Sequence, residues 1–188
     1  YSFFGQPDVL IHLAWEGLPN YKELFHLEKV LFSQYQFLKQ MVEEGLKDIT
    51  VSGTFFEYGI IEGCMKEEMR VEPTHCYAIA KDCLRRFLEQ LNLKYEFSFK
   101  WLRLFHMYGE GQFSKSIIPQ LNAALKNGEK EFKMSKGDQI RDYLPVEETA
   151  DIIVRAALQK KVTGIINCCS GKPIELKEFV LNYLKEIN

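Results

Sequence analysis

The amino-acid sequence predicts an α/β fold in which a parallel β-sheet is flanked by helices. Short apolar runs at residues 8–14 and 48–52 have the pattern of strands buried on both faces. Between them lies the segment 23–44, whose apolar side chains recur at steps of three and four residues, as on one face of a long helix. Strands that alternate with helices of this length form βα units, which build parallel sheets.

The later segments continue this alternation. A helix that carries Tyr77 and Lys81 is predicted to continue to about Leu91. Further strands are predicted at residues 97–105, 131–134, 141–145 and 164–169, and further helices at 117–127, 147–159 and 176–187. After about Gly109 the strands are shorter and the loops more polar. We therefore expect a sheet domain at residues 1–108 and a smaller lobe at 109–188, interleaved with the last strands of the sheet.

Composition and charge exclude several classes of function. A net charge of −2 and the lack of a basic run with interleaved aromatic residues give no electrostatic reason to expect nucleic-acid binding. No apolar run approaches the roughly 20 residues that span a bilayer, so no membrane partner is expected. The five cysteines form no C-x-x-C pair and the four histidines are scattered, which argues against disulfides and a metal site. These features favour the reducing cytoplasm.

Tyr77 and Lys81 are the first candidates for chemistry. They are four residues apart, which places them on one face of the predicted helix. A lysine ammonium near a phenol favours the phenolate and lowers its pKa from about 10, which suits the phenol to proton transfer. Thr54 follows the strand at 48–52, and ligands bind at the carboxyl ends of parallel strands, so Thr54 and Tyr77 are expected to meet in one cleft. The alternative for the pair is a solvated helix face.

Five segments, taken in order, resemble the extended short-chain dehydrogenase/reductase family of NAD(P)-dependent nucleotide-sugar epimerases, dehydratases and reductases. One of them, residues 73–81, resembles the family's Pro-x-x-x-Tyr-x-x-x-Lys helix. The others are a strand at residues 7–14, a Ser/Thr-x-x-x-Tyr-Gly segment at 52–59, an Arg-x-Phe-Asn-x-Tyr-Gly-like loop at 102–112 and an Arg-Asp-Tyr segment at 141–150. The resemblance implies a Rossmann-like sheet and a small substrate lobe.

The resemblance also implies a role for each matched residue. Tyr77 would be the proton donor or acceptor, Lys81 would lower its pKa and bind the nicotinamide ribose, and Thr54 would orient the substrate oxygen. The residues expected to line NAD or NADP are Leu13, Ala14, Trp15, Ser52, Tyr77 and Lys81. His106 and Arg141 would contact the nucleotide-sugar substrate, with Arg141 suited to its diphosphate.

Each of these residues also has a structural interpretation. Ser52 and Thr54 are residue types that cap turns. Histidines and tryptophans are often simply packed in a core or loop, which applies to His106 and Trp15. Arg141 stands beside Asp142, so the two could form a local ion pair.

The family's glycine-rich loop for the cofactor pyrophosphate has no counterpart in the sequence. We therefore expect the chain to be part of a longer enzyme and to be weak or inactive alone. Phe55 and Phe56 stand where the family's 4,6-dehydratases carry Asp and Glu, which disfavours elimination of water.

The expected reaction is reduction of the C4 ketone of a nucleotide-linked 4-keto-6-deoxyhexose, with 4-epimerisation as the alternative. A non-catalytic nucleotide-sugar or NAD(P)-binding homologue and a dimerisation module remain alternatives of another class. The helices at 23–44 and 77–91 match those of the family's dimer interface, so a homodimer is expected.

Overall fold

The computed structural model describes residues 1–187, and its contacts divide the chain into two compact units. The first unit comprises Tyr1–Leu104 and Asp151–Cys168. The second comprises Phe105–Ala150 and the residues from Cys169 on. Each unit has a hydrophobic core of its own.

The regular elements alternate along the chain. The strands are β1 (Leu10–His12), β2 (Asp48–Thr54), β3 (Ser98–Leu104), β4 (His106–Tyr108), β5 (Ile140–Arg141), β6 (Tyr143–Pro145), β7 (Gly164–Cys168) and β8 (Ile174–Glu175). The helices are α1 (Leu31–Glu43), α2 (Cys76–Tyr95), α3 (Ile117–Lys126), α4 (Val146–Leu158) and α5 (Leu176–Ile187). None of the helices within residues 1–187 has both the length and the apolar character to cross a membrane.

A parallel sheet of four strands, in the order β1-β2-β3-β7, forms the centre of the first unit. Side chains alternate between its two faces. On one face, Val51 and Trp101 pack in a cluster with buried residues of α1 and α2. On the other face, Leu102 packs with Ile153 of α4. Helices therefore cover both faces of the sheet. In sheets of this kind, ligands bind at the carboxyl ends of the strands.

The second unit is built from two small sheets and two helices. Strands β4 and β6 pair in parallel, and β5 and β8 pair antiparallel. Its core lies between α3 and α5, with Leu121 and Phe179 among its buried members. The Tyr143 ring stacks on Phe179 with centroids 4.0 Å apart.

The predicted α/β fold with a parallel sheet flanked by helices is confirmed. The long helix predicted at residues 23–44 begins as a π-helical turn, His26–Val30, and continues as α1. The strand predicted at residues 131–134 is wrong, because that segment forms no strand. Phe132 and Met134 pack against the core of the second unit, which accounts for the apolar alternation that suggested a strand.

Candidate active site

Thr54 is fixed at the carboxyl end of β2 by a capping box. The chain turns from the strand directly into a 3₁₀ helix, Phe55–Tyr58, for which Thr54 is the N-cap. The Thr54 Oγ1 atom accepts a hydrogen bond from the Phe56 amide at 3.3 Å, and the Thr54 amide donates to Glu57 Oε1 at 2.9 Å. This reciprocal arrangement satisfies two amides that the helix start leaves without partners. Thr54 therefore caps a turn, as its structural interpretation expected, and is buried beside Tyr77.

Tyr77 lies in the first turn of α2, in a pocket of aromatic rings. Its side chain is 7% exposed, and its ring meets those of Trp15 and Tyr21 at centroid distances of 5.7 and 5.5 Å. Burial raises the pKa of Tyr77, and a side-chain hydrogen bond with Thr54 opposes this rise. The shift is opposite to that expected from Lys81 alone, because desolvation of the phenolate is its largest cause. Without ligand, Tyr77 is a neutral phenol and thus a proton donor.

Lys81 lies one helical turn after Tyr77 and is completely buried. Its Nζ atom donates to the Ser52 carbonyl oxygen at 2.7 Å and lies 4.3 Å from the centroid of the Trp15 ring. Burial lowers the pKa of Lys81 to about 7, while the charge of Glu57 opposes this shift. The group can therefore gain or lose a proton near neutral pH, which is where a residue assisting proton transfer is most effective.

The residues expected to line a cofactor differ in exposure. Leu13 and Ala14 follow β1 and are exposed at the carboxyl edge of the sheet, whereas Ser52 is buried and contributes its carbonyl oxygen. Trp15 is half-buried and lies over Lys81, and its indole N–H donates to His26 Nδ1 at 3.1 Å. The Trp15 ring is thus both packed on the core and part of the site wall.

Two buried histidines, His12 and His26, support the site, and neither was expected from the sequence to have a role there. His26 Nε2 donates to the Asn20 carbonyl oxygen at 3.1 Å, which leaves Nδ1 as the acceptor for Trp15. His12, the last residue of β1, hydrogen-bonds Gln34 through Nε2 at 2.7 Å. Burial and the charge of Lys81 lower the pKa of His12 to about 4, so the ring is neutral at pH 7. Neither histidine stands in a spacing that marks a functional residue, so no sequence signal was available.

Glu57 is a further residue that the sequence analysis left without a role. Its carboxylate is fully buried and accepts hydrogen bonds from Arg103 Nε at 2.8 Å and from the Trp101 indole N–H at 2.9 and 3.1 Å. A Cβ atom added to Gly53 would overlap the Trp101 indole nitrogen and lie 2.7 Å from Glu57 Oε1. Glycine at position 53 therefore makes room for this buried network.

His106 and Arg141 belong to the second unit. His106 is in β4, where its ring lies 5.7 Å from that of Tyr143, and burial together with the charge of Arg141 lowers its pKa to about 4. The Arg141 side chain is exposed and donates to the Ile140 carbonyl oxygen at 2.7 Å. Asp142 accepts hydrogen bonds at 2.7 Å from the amides of Ser170 and Gly171. Asp142 thus anchors the loop after β7, and the Arg141 guanidinium faces solvent.

No group of His, Cys, Asp or Glu side chains within residues 1–187 is arranged to hold a metal ion. Cys64, Cys76 and Cys83 are free thiols. In the first unit, the structure brings together Thr54, Tyr77, Lys81, Ser52 and Trp15. This cluster can donate a proton from a phenol, donate a hydrogen bond from a hydroxyl and hold a buried positive charge.

By sequence, the chain matches one protein-family model and is similar to two dehydrogenases. The model of the NAD dependent epimerase/dehydratase family matches residues 2–169. The chain is 31% identical over 182 residues to a dTDP-6-deoxy-L-talose 4-dehydrogenase (NAD(+)) from Aggregatibacter actinomycetemcomitans, covering 96% of this chain and 67% of the relative. It is 25% identical over 171 residues to a GDP-6-deoxy-D-talose 4-dehydrogenase from the same organism. That match covers 88% of this chain and 57% of the relative.

Comparison by structure gives the same fold. A UDP-glucose 4-epimerase from Thermotoga maritima, solved with UDP-glucose, superposes with a TM-score of 0.79 at 20% sequence identity. The match covers 99% of this chain and 63% of the epimerase. The chain thus spans between 57% and 67% of the length of these three proteins.

Proposed function

The chain belongs to the NAD-dependent epimerase/dehydratase family, and from this premise we propose that its protein is an NAD(P)-dependent oxidoreductase of nucleotide sugars. The proposed reaction is reduction of the C4 ketone of a nucleotide-linked 4-keto-6-deoxyhexose, or its reverse. The observation that carries the proposal is the buried convergence of Thr54, Tyr77 and Lys81 at the carboxyl edge of the sheet. The names of both curated relatives, 4-dehydrogenases of 6-deoxytaloses, support C4 as the reacting carbon.

The residues around Lys81 fit a nicotinamide cofactor. Leu13 and Ala14 offer exposed apolar surface at the sheet edge, and Lys81 offers a donor beneath it. His12 Nδ1 is a buried acceptor that has no hydrogen-bond partner among residues 1–187. We propose that Leu13, Ala14, Trp15, Ser52, Tyr77 and Lys81 hold NAD or NADP. When bound, the nicotinamide supplies or accepts the hydride.

The chain's own residues would manage the proton and the developing charge. Tyr77, a neutral phenol in the ligand-free protein, donates its proton to the C4 oxygen as negative charge develops there. The Thr54 hydroxyl donates a hydrogen bond to the same oxygen, which stabilises that charge. Lys81, as a buried cation, stabilises the phenolate that Tyr77 leaves behind.

Two positions distinguish this reaction from elimination of water. Phe55 and Phe56 directly follow Thr54, and neither side chain can donate or accept a proton. A dehydratase needs an acid and a base at the sugar, so its chemistry is disfavoured. Epimerisation at C4 remains the second candidate, because the same Thr-Tyr-Lys set serves it and a solved structural neighbour carries that activity in its name.

We propose that His106 contacts the substrate and that Arg141 grips its diphosphate. The exposed Arg141 guanidinium is suited to bidentate binding of phosphate oxygens.

The direct test is an assay of the protein that contains this chain. It is incubated with dTDP- and GDP-linked 4-keto-6-deoxyhexoses and NADH or NADPH, and oxidation of the cofactor is followed by absorbance. Ketone-dependent oxidation with formation of a 4-hydroxy sugar is the expected result. Inversion at C4 without net consumption of cofactor would establish the epimerase instead. Absence of any NAD(P)H binding by fluorescence titration would indicate a non-catalytic homologue.

We also propose a homodimer through the helices at residues 23–44 and 77–91. The rings of Tyr35 in α1 and Phe87 in α2 pack edge to face with their centroids 5.2 Å apart. Phe32, three residues before Tyr35, has a side chain that is 53% exposed. Replacing Phe32 with Glu would place a charge in such an interface and is expected to convert a dimer to a monomer in sedimentation velocity. A matched Lys126→Glu variant, on α3 and outside both helices, should remain dimeric. A wild-type protein that stays monomeric at high concentration would contradict the proposal.

A further inference from the structure

Glu57 is a fully buried anion to which the proposed reaction assigns no task. It lies one turn after Thr54, and its partner Arg103 is 1% exposed. Buried ion pairs contribute little net stability, since desolvation offsets most of their attraction. Replacing both partners with apolar residues is often neutral or stabilising. The position of this pair, directly behind the candidate catalytic hydroxyl, therefore needs an explanation other than stability.

The Glu57 carboxylate oxygens accept hydrogen bonds from three groups. The donors are the Thr54 amide, the Trp101 indole N–H and the Arg103 guanidinium. If the Glu57 carboxyl were protonated, its O–H would need an acceptor, and these three groups are all donors. The geometry therefore favours the ionised carboxylate. Burial raises the pKa of Glu57, and the charge and hydrogen bonds of Arg103 oppose this. Arg103 is held in turn by the Tyr58 ring, 4.4 Å from the guanidinium carbon, and by the Glu67 carbonyl oxygen.

The anion acts on the site in two ways. Through the Thr54 amide it fixes the residue whose hydroxyl faces Tyr77. Through its charge it raises the pKa values of Lys81 and Tyr77, the two titratable groups of α2 in the cluster. Lys81 Nζ also lies 6.0 Å from the centroid of the Tyr77 ring and interacts with His12, which is neutral at pH 7. The charge of Glu57 thus opposes the lowering of the Lys81 pKa by burial.

We propose that Glu57 is a positioning residue for the C4 reaction: its carboxylate holds the Thr54 backbone in place, and its negative charge favours the protonated form of Lys81. The kinetic part of this inference rests on the proposed function. Its structural part, the capping of Thr54 by a carboxylate bound to Arg103 and Trp101, does not. Positions 53, 57, 101 and 103 act together, since Gly53 provides the space that Trp101 and Glu57 occupy.

Two variants of Glu57 separate the effect of its charge from the effect of its side-chain length. Glu57→Gln keeps the side-chain length and removes the charge, so Lys81 and Tyr77 should lose their protons at lower pH. The alkaline limb of the kcat profile is expected to move down by roughly one pH unit, because a negative charge that favours the protonated forms is lost. Glu57→Asp keeps the charge and shortens the side chain. Its alkaline limb should remain in place, while kcat falls about tenfold because Thr54 is less well held.

Glu57→Gln leaves Arg103 buried without its counter-ion, so the variant could fail to fold. The double variant Glu57→Gln/Arg103→Gln removes both charges and keeps the test possible. Proton–nitrogen correlation spectra follow the Thr54 amide and the Trp101 indole, which should shift in all three variants. A folded single or double variant with the wild-type alkaline limb and kcat would overturn the inference. In that case the Tyr77→Phe variant shows which proposal has failed. If Tyr77→Phe is also fully active, the proposed function is wrong. If Tyr77→Phe is inactive, the proposed function stands and only the role of Glu57 is wrong.

Discussion

Replacing Tyr77 with Phe is expected to lower kcat for C4 reduction by about 10²–10⁴-fold, the usual contribution of a positioned general acid. The change removes only the hydroxyl, and the ring contacts with Trp15, Tyr21 and His26 remain. Since the phenol is a neutral proton donor in the folded protein, its loss should reduce turnover and leave KM nearly unchanged. The measurement is steady-state oxidation of NAD(P)H with a saturating 4-keto sugar.

The control must lose a tyrosine hydroxyl without touching the site. Tyr35 of α1 is suitable because its ring packs on Phe87, and Tyr35→Phe should keep full activity. Thermal unfolding of both variants checks that the fold is intact. Near-wild-type kcat in folded Tyr77→Phe protein would remove Tyr77 from the mechanism and with it the proposed function.

The sequence was sufficient to predict the sheet because each main strand is a compact apolar run bounded by polar or turn residues. Residues 48–52 were predicted as a strand and form most of β2, and the final helix was predicted with the bounds it has in the structure. The short strands β4 and β8 were not predicted. Strands of two or three residues carry too little pattern for detection, and pairing partners distant in sequence define them.

For the site, spacing predicted the shared helix face of Tyr77 and Lys81, and the place of Thr54 at the carboxyl end of a strand predicted that it would meet Tyr77. Glu57 was missed because its role depends on Trp101 and Arg103, which lie on another strand. The pKa of Tyr77 was expected to fall, and in the ligand-free protein it rises. Spacing places a cation near the phenol, but burial, which decides the direction here, depends on the packing of Trp15, Tyr21 and His26 around the ring.

Replacing Lys81 with Met is expected to change both the pH dependence of stability and the rate. Burial lowers the pKa of Lys81 from 10.5 to about 7 in the folded protein. Between these values the unfolded chain binds a proton that the folded protein does not, so the free energy of unfolding rises with pH. The full gain is on the order of 5 kcal/mol, and it is lost again as pH falls through about 7. Lys81→Met should abolish this slope.

Chemical denaturation of the cofactor-free protein from about pH 6.5 to pH 9.5, below the ordinary tyrosine pKa of about 10, measures that slope. In the same variant kcat should fall by about 10²–10³-fold, because a preorganised charge beside the reacting phenol is lost. The matched control is Asp48→Asn/Lys100→Met, which removes a different buried lysine together with its carboxylate partner. That variant should keep the wild-type rate. A Lys81→Met protein that retains the stability slope would show that other groups produce it, and one that retains kcat would show that Tyr77 works without a cation.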